Sequence, residues 1–253
     1  MFGLKNHRGS CWVNAALQGL FSCPTLTDRY EDGAASVDKT NPYDVCLESV
    51  YRNKGERGLT EFHECIRTSY MPAGQSVGDS HELIVHLCDK LPWLDEAFRF
   101  NIGDRIECNN CHDTQMKTTS TIDLHLMPSQ PGIPLLNAIQ EYVQPQVIDS
   151  WTCEKCKEKK GCTKQVLFGT FPKVLMIWST PIEYSSVIIV NQKKYYLFSV
   201  VCFTGGHWRT YARKMPPGTP WYVLDDEHVV AVDSRKFPLD RTMRVLLYFL
   251  HEN

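Results

Sequence analysis

The sequence lacks any apolar stretch close to the roughly 20 residues that a membrane-spanning helix needs. Its longest apolar runs, residues 174–178 and 245–250, have the length of strands. The first residues lack the apolar core of a secretory signal peptide. Charge of one sign is not in excess either, because 27 Lys and Arg residues and 29 Asp and Glu residues leave a net charge of −2. Proteins that hold nucleic acid usually carry a basic excess, so we expect neither a membrane nor a nucleic acid as partner.

The cysteine count argues against a closed disulfide framework. The chain has 11 cysteines, and an odd number fits such a framework poorly. In a reducing compartment, thiols persist as core residues, metal ligands or nucleophiles. We therefore expect an intracellular protein, in the cytoplasm or the nucleus, whose cysteines divide among these three roles.

The spacing of apolar residues predicts helices in the first third of the chain. Residues 10–21 carry an amphipathic stripe, and Ser10 is placed to cap the start of this helix. Residues 79–91 carry a second stripe, which begins with a capping box of Asp79 and Glu82.

Strand patterns dominate the later part of the chain. Apolar and polar residues alternate over 122–126, and a short helix is predicted at 135–143. Beyond residue 164 the chain consists largely of β-type runs, at 165–171, 174–178, 187–190, 195–203, 207–213, 221–224 and 244–250. A helical first part followed by a β-rich last part indicates an α+β architecture with subdomains.

Two cysteine pairs have the spacing of zinc knuckles. Cys108 and Cys111 form one pair, and Cys153 and Cys156 form the other. Two such pairs brought together complete a tetrahedral shell of four thiolates, which suits Zn²⁺ and leaves no open position for catalysis. The sequence therefore predicts one structural zinc site. The alternative is four unrelated thiols.

Cys11 is the candidate nucleophile because it lies in the first turn of the first predicted helix. The helix dipole and the free backbone N–H groups stabilise a thiolate at that position, and Arg8 can add to the effect. The alternative is an ordinary buried cysteine on an amphipathic helix.

A thiol nucleophile needs a base, and the base needs an orienting group. His207 follows Gly205 and Gly206 and opens a predicted strand, while Asp225 and Asp226 end another. If these strands are neighbours, we expect a carboxylate to accept the imidazole Nδ1–H and Nε2 to face the thiol.

Three motifs and the two cysteine pairs resemble the ubiquitin-specific protease family. Its cysteine box is similar to GLKN at 3–6 together with SCWVNAALQ at 10–18. Its histidine box is similar to GGHW at 205–208 together with WYVLDD at 221–226. An internal family segment resembles DSHEL at 79–83, and the cysteine pairs occupy the place of the family's zinc-bearing fingers. These elements follow the family's order and span nearly the whole chain.

The resemblance implies an α+β fold with a papain-like cysteine protease core, in a single catalytic domain over residues 1–253. A helical thumb would cover residues 1–100. Fingers with the zinc site would take up most of residues 101–190, and a β-rich palm would cover residues 191–253.

The resemblance also implies roles for particular side chains. Carried over by position, Cys11 is the nucleophile, His207 the base and Asp225 the group that orients the base. Asn6, five residues before Cys11, matches the side-chain donor to the oxyanion. Asp226 matches an acidic neighbour that can assist.

The sequence departs from the family pattern at two functionally relevant places. Arg8 lies where the family usually has glycine, three residues before Cys11, and Gly9 follows it. The chain between Phe203 and His207 is too short for the family's second blocking loop. These departures indicate a trimmed member of the family.

The resemblance implies a thiol-dependent deubiquitinase that cleaves isopeptide or peptide bonds at the C-terminal glycine of ubiquitin. We expect a monomer whose partners are ubiquitin and ubiquitin-conjugated proteins. One alternative is a protease for another ubiquitin-like modifier such as SUMO, and another is a ubiquitin-binding module with little catalysis. A nucleic-acid-binding zinc ribbon fits the net charge of −2 poorly, and a papain-like protease of another lineage has no place for the paired cysteines.

Overall fold

The computed structural model describes residues 1–31, 37–71, 77–232 and 240–251. The helices are α1 (Cys11–Leu20), α2 (Pro24–Glu31), α3 (Pro42–Arg52), α4 (Leu59–Ser69), α5 (Ser80–Lys90), α6 (Pro92–Phe98) and α7 (Leu135–Val143). The strands are β1 (Phe100–Cys108), β2 (Thr114–Thr121), β3 (Asp123–Leu126), β4 (Gln146–Ile148), β5 (Cys162–Phe168), β6 (Val174–Ser179), β7 (Val187–Val190), β8 (Lys193–Thr204), β9 (His207–Ala212), β10 (Tyr222–Asp225), β11 (His228–Ala231) and β12 (Met243–Leu250).

The strands form two sheets. The smaller sheet has the order β2-β1-β5-β4, and its pairings are antiparallel. The larger sheet has the order β11-β10-β9-β8-β12-β6-β3, with β7 also paired to β8. In the larger sheet β3 and β6 run parallel, whereas the other pairs are antiparallel. The strand β12 therefore lies between β8 and β6, although it comes last among them in the chain.

Both faces of the larger sheet are covered at its centre. Along β6, Val174 and Met176 join the core on the helical side, whereas Leu175 and Ile177 join a second core on the other side. That second core is completed by α7 and by the chain around β7. Because both faces are buried, β6 and β12 are continuous apolar runs rather than alternating ones.

The helix α1 lies in the interior, and all of its residues are buried. Thr210 of β9 donates a hydrogen bond from Oγ1 to the backbone carbonyl of Ala15 at 2.8 Å. Gly19 permits a close approach to β8, because a Cβ at that position would lie 2.9 Å from Oγ of Ser199. The larger sheet and the helix are therefore held together by packing and by a buried hydrogen bond.

The predicted helices are confirmed at α1, α5 and α7. Asp79 caps α5 as predicted, accepting from the backbone N–H groups of His81 and Glu82. The predicted cap of α1 is wrong, because Oγ of Ser10 accepts from the backbone N–H of His7 at 2.8 Å instead of from the helix. In the described ranges, no helix is both long enough and apolar enough to span a bilayer.

The strands predicted for the larger sheet are confirmed to within a few residues, but sequence reasoning missed β11 in that sheet and β1, β2 and β4 in the smaller one. The sequence TQMKTTST of β2 is exposed along most of its length. A strand exposed on both faces has no alternation of apolar and polar residues, so its sequence lacks the signal on which the prediction depends.

The short connection before His207 is a tight hairpin. Thr204 pairs with His207, and the two residues between them, Gly205 and Gly206, have φ values of +59° and +84°. Two-residue hairpin turns with positive φ at both positions favour glycine because it has no Cβ. The structure thus confirms that no longer loop separates β8 from β9.

We predict that Leu17→Ala lowers the free energy of unfolding by about 2–5 kcal/mol, because Leu17 is fully buried in α1 and its truncation leaves a cavity. Leu136→Ala is the matched control, since that side chain on α7 is 47% exposed and a change within about 0.5 kcal/mol is expected. Urea denaturation of both variants measures the difference. Equal losses would contradict the interior position of α1.

Candidate active site

Cys11 is the first residue of α1, and its side chain belongs to the interior, with 7% of the residue exposed. The preceding loop is organised by Asn6, whose Oδ1 accepts from the backbone N–H groups of Gly9 and Ser10 at 3.1 Å each. Arg8 lies at the position where the family usually has glycine, and its φ of +54° is left-handed. Such a conformation costs a residue with a side chain on the order of 1–2 kcal/mol. The bonds made by Asn6 help to hold it.

His207 and Asp225 form a hydrogen-bonded pair. His207 opens β9, Asp225 ends the neighbouring strand β10, and Nε2 of the imidazole lies 2.6 Å from Oδ1 of the carboxylate. Their side chains are 40% and 42% exposed. The two strands bring the pair together in the way that the sequence predicts.

The predicted ring nitrogen is wrong, because the carboxylate contacts Nε2 and not Nδ1. Continuing the β9–β10 register places Asp225 opposite Arg209, two residues from His207. The carboxylate therefore approaches diagonally across the strands, and the distal nitrogen of the ring spans that separation. With its proton on Nε2, the imidazole keeps the Nδ1 lone pair as the acceptor for a thiol proton.

Asp226 contacts a different set of groups from Asp225. Its Oδ2 accepts from Nδ2 of Asn6 and its Oδ1 accepts from Nδ2 of Asn14, both at 2.8 Å. Its backbone carbonyl accepts from Nε2 of Gln18 at 2.9 Å and from the backbone N–H of Leu4 at 2.8 Å. Asp226 thus joins the loop before Cys11, the helix α1 and the turn that follows Asp225.

The side chains of the candidate site lie close together. Oxygen and nitrogen ligand atoms of His207, Asp225 and Asp226 lie within 4.8 Å of one another. Asn6 presents Nδ2 to Asp226, and an amide nitrogen has a second N–H that can serve another acceptor. Cys11 lies one helical turn before Ala15, the residue whose carbonyl binds Thr210 of β9. The helix that carries the thiol therefore packs on the strand that carries the imidazole.

Sequence reasoning missed the role of Asn14 and Gln18. Both are almost completely buried in α1 and are four residues apart, so they lie on one face of the helix. Buried amide side chains require hydrogen-bond partners. Two amide residues four positions apart in an otherwise apolar helix therefore indicate a polar contact to another part of the chain. The partner, Asp226, could not be identified because it is more than 200 residues away in the chain.

Several other cysteines have the properties of core residues. Burial raises the pKa of Cys23 to about 11 and that of Cys202 to about 12. Burial, reinforced by the neighbouring thiol of Cys65, raises the pKa of Cys46 to about 12. A thiol that stays protonated is a poor nucleophile, so these cysteines contribute to packing.

The four predicted metal ligands come together at the end of the smaller sheet. Sγ of Cys108 lies 3.8 Å from Sγ of Cys156, and Sγ of Cys111 lies 3.8 Å from Sγ of Cys153. A tetrahedral zinc site with bonds of about 2.3 Å places its sulfur atoms about 3.8 Å apart. The cysteine group therefore fits Zn²⁺ in both chemistry and spacing.

Backbone N–H groups favour the thiolate form of two of these ligands. The N–H groups of Cys111 and Asn110 lower the pKa of Cys108 to about 7. The N–H of Glu158 lowers the pKa of Cys156. These N–H groups favour the deprotonated sulfur of Cys108 and Cys156, which is the form that binds a metal cation.

The sequence matches known proteins over most of its length. Residues 2–193 match the family described as ubiquitin carboxyl-terminal hydrolase. Ubiquitin carboxyl-terminal hydrolase 47 of Mus musculus is 22% identical over 200 residues, which cover 69% of this chain and 14% of the relative. Ubiquitin carboxyl-terminal hydrolase 14 of Schizosaccharomyces pombe is 22% identical over 304 residues, which cover 97% of this chain and 39% of the relative. The chain thus spans well under half the length of these curated relatives.

Solved structures share the fold. A chain of the SAGA DUB module containing Ubp8, bound to monoubiquitin, matches with a TM-score of 0.81 at 16% identity, and the match covers 100% of this chain and 69% of that chain. The module bound to ubiquitin aldehyde gives a TM-score of 0.82 at 15% identity, covering 100% of this chain and 70% of that chain. The predicted α+β fold of a ubiquitin-specific protease catalytic domain is confirmed.

We predict about one Zn²⁺ per chain in the purified protein, because four thiolates form a closed structural site. Cys111→Ser should lower the zinc content and expose the end of the smaller sheet to proteolysis. Cys65→Ser, which removes a thiol outside the group, should leave both unchanged. Elemental analysis measures the metal, and a full complement of zinc in Cys111→Ser would contradict the assignment.

Proposed function

Because the chain belongs to the ubiquitin carboxyl-terminal hydrolase family, we propose that it is a thiol-dependent deubiquitinase. It would hydrolyse isopeptide or peptide bonds after the C-terminal glycine of ubiquitin. The observation that carries this proposal is the His207–Asp225 pair on strands that pack against the helix of Cys11. A thiol, an imidazole and a carboxylate in that order form a nucleophile, a base and an orienting group.

In the proposed reaction, Nδ1 of His207 takes the thiol proton of Cys11, and the thiolate attacks the carbonyl carbon of the glycine. The tetrahedral intermediate collapses to a thioester as His207 returns the proton to the departing amine. The imidazole then deprotonates water, which attacks the thioester and releases the glycine carboxylate and the thiol. Asp225 holds the proton on Nε2 throughout, so that Nδ1 stays available.

Two donors are proposed for the oxyanion. The backbone N–H of Cys11 lies at the start of α1, where helix N–H groups are unpaired and the dipole favours negative charge. Asn6 has its Oδ1 and one N–H engaged by the loop and by Asp226, which fixes the plane of its amide. The remaining N–H of Nδ2 is the proposed second donor. A preorganised donor stabilises the developing charge without reorganisation.

The proposed organisation has a thumb at residues 1–100, fingers over most of 101–190 and a palm at 191–253. The smaller sheet, with the four cysteines at its end, corresponds to the fingers, while β3, β6 and β7 pair within the larger sheet. Bound Zn²⁺ would hold the end of the fingers and take no part in the chemistry. The proposed partners are ubiquitin and its conjugates, since the matched structures contain ubiquitin. We also propose an intracellular monomer.

A second candidate function is hydrolysis at another ubiquitin-like modifier such as SUMO. The short connection at Gly205–Gly206 favours this candidate, because it adjoins His207 and so alters the surface next to the site. A binding module without catalysis is less well supported, since all three catalytic side chains are present.

We predict that a ubiquitin probe with a C-terminal electrophile labels the wild-type protein and not Cys11→Ala. Cys65→Ala, which removes a partly exposed thiol on α4, is the control and should label like wild type. Intact mass measurement identifies the adduct. Parallel probes that carry SUMO and other modifiers identify the preferred substrate, and undiminished labelling of Cys11→Ala would remove Cys11 from its role.

Asp225→Asn and Asp226→Asn should have different effects. Asp225→Asn is expected to lower kcat by about 10²–10⁴-fold, because the amide no longer holds the correct imidazole tautomer, while stability changes little. Asp226→Asn is expected to lower stability by about 1–3 kcal/mol, because its NH₂ group would face an amide donor. Turnover of a fluorogenic ubiquitin substrate and urea denaturation separate the two effects. Identical behaviour of the variants would contradict the division of roles.

A further inference from the structure

A second group of side chains whose chemistry suits a metal ion has no role in the proposed reaction. His81 on α5 and His125 on β3 each place Nε2 beside Oδ2 of Asp123, at 2.6 and 2.8 Å. The three ligand atoms lie within 4.8 Å of one another. Two imidazoles therefore converge on one carboxylate oxygen.

The fold holds these side chains in place. Asp123 and His125 are two residues apart on β3, so they lie on the same face of the sheet. His81 lies in the first turn of α5, where Asp79 accepts from its backbone N–H at 2.6 Å. Oδ1 of Asp123 accepts from Oγ1 of Thr121 at 3.3 Å. A hydrogen bond of this kind orients a carboxylate ligand from behind.

The surroundings favour a cation. The group faces an open concavity of about 790 Å³, whose lining includes the acidic residues Asp79, Glu82 and Asp89 and, among the residues that the structure describes, contains no Lys or Arg. The side chain of His125 is 56% exposed, so the ligand atoms can be reached from solvent. The ring of Trp178 packs 5.2 Å from that of His125 and limits its movement.

The spacing is close to that of ligands on a shared metal ion. Nitrogen and oxygen ligands bound at about 2.1 Å lie roughly 3.0–3.4 Å apart. The two observed Nε2–Oδ2 separations are shorter by a few tenths of an ångström, a difference that small side-chain rotations supply. Two imidazoles and one carboxylate suit Zn²⁺, Ni²⁺ and related ions, and they leave further positions open.

We propose that His81, Asp123 and His125 bind one divalent transition-metal ion in addition to the zinc of the four cysteines. On binding, each neutral imidazole carries its proton on Nδ1 and offers the Nε2 lone pair, so the tautomer changes without net release of a proton. The metal replaces the two hydrogen bonds to Oδ2 and links α5 to β3. Water or a ligand from the concavity completes the coordination.

The test uses protein that has been dialysed until it carries one Zn²⁺ per chain and is then titrated with Ni²⁺ in a calorimeter, with the zinc content measured before and after. Wild type should bind one Ni²⁺ per chain and keep its zinc. His125→Asn and Asp123→Asn should each weaken nickel binding by at least about tenfold, because each removes a ligand. His251→Asn is the matched control, since it removes an exposed histidine outside the group.

Circular dichroism should show that the variants are folded. The proposal is overturned if wild type binds no Ni²⁺, which would leave the group as a hydrogen-bonded link between α5 and β3. It is also overturned if both ligand variants bind Ni²⁺ as tightly as wild type, or if nickel uptake is matched by loss of zinc from the cysteines.

Discussion

The candidate active site depends on one aspartate that does no chemistry in the proposed reaction. Asp226 accepts hydrogen bonds from Asn6 in the loop before Cys11, from Asn14 and Gln18 in α1 and from the backbone of Leu4. Because Asp225 precedes it directly, the position of the imidazole partner and the position of the thiol helix are set by adjacent residues. Loss of one of these hydrogen bonds would therefore displace the nucleophile relative to the base. A displacement of about 1 Å can lower the catalytic rate by about 100-fold.

Much of this arrangement could be predicted from the sequence because its signals are local. Cys11 at a helix start, His207 after two glycines and the two cysteine pairs are each recognisable within a few residues. The Nε2 contact of His207 could not be predicted, because it depends on the diagonal offset between β9 and β10. The partner of the Ser10 hydroxyl could not be predicted either, since only the folded loop brings the N–H of His7 to it.

The smaller sheet shows a different limit of sequence reasoning. Its exposed strand β2 has no apolar face, so its stability comes from pairing with β1 and not from a core of its own. The cysteines could be predicted as a group because metal ligands have recognisable spacing, whereas the exposed strand β2 has no pattern of its own. In a region with so little apolar surface, binding of a metal ion supplies folding free energy that hydrophobic burial supplies in the larger sheet.

The position of β12 has a consequence for biosynthesis. This strand separates β8 from β6 in the larger sheet, although it is translated after both. Until residues 243–250 have left the ribosome, the backbone edges of β8 and β6 that pair with β12 lack their partner, and unpaired edges of apolar strands are prone to aggregate. We therefore expect chains that end before residue 243 to misfold and to be degraded rather than to accumulate as folded protein.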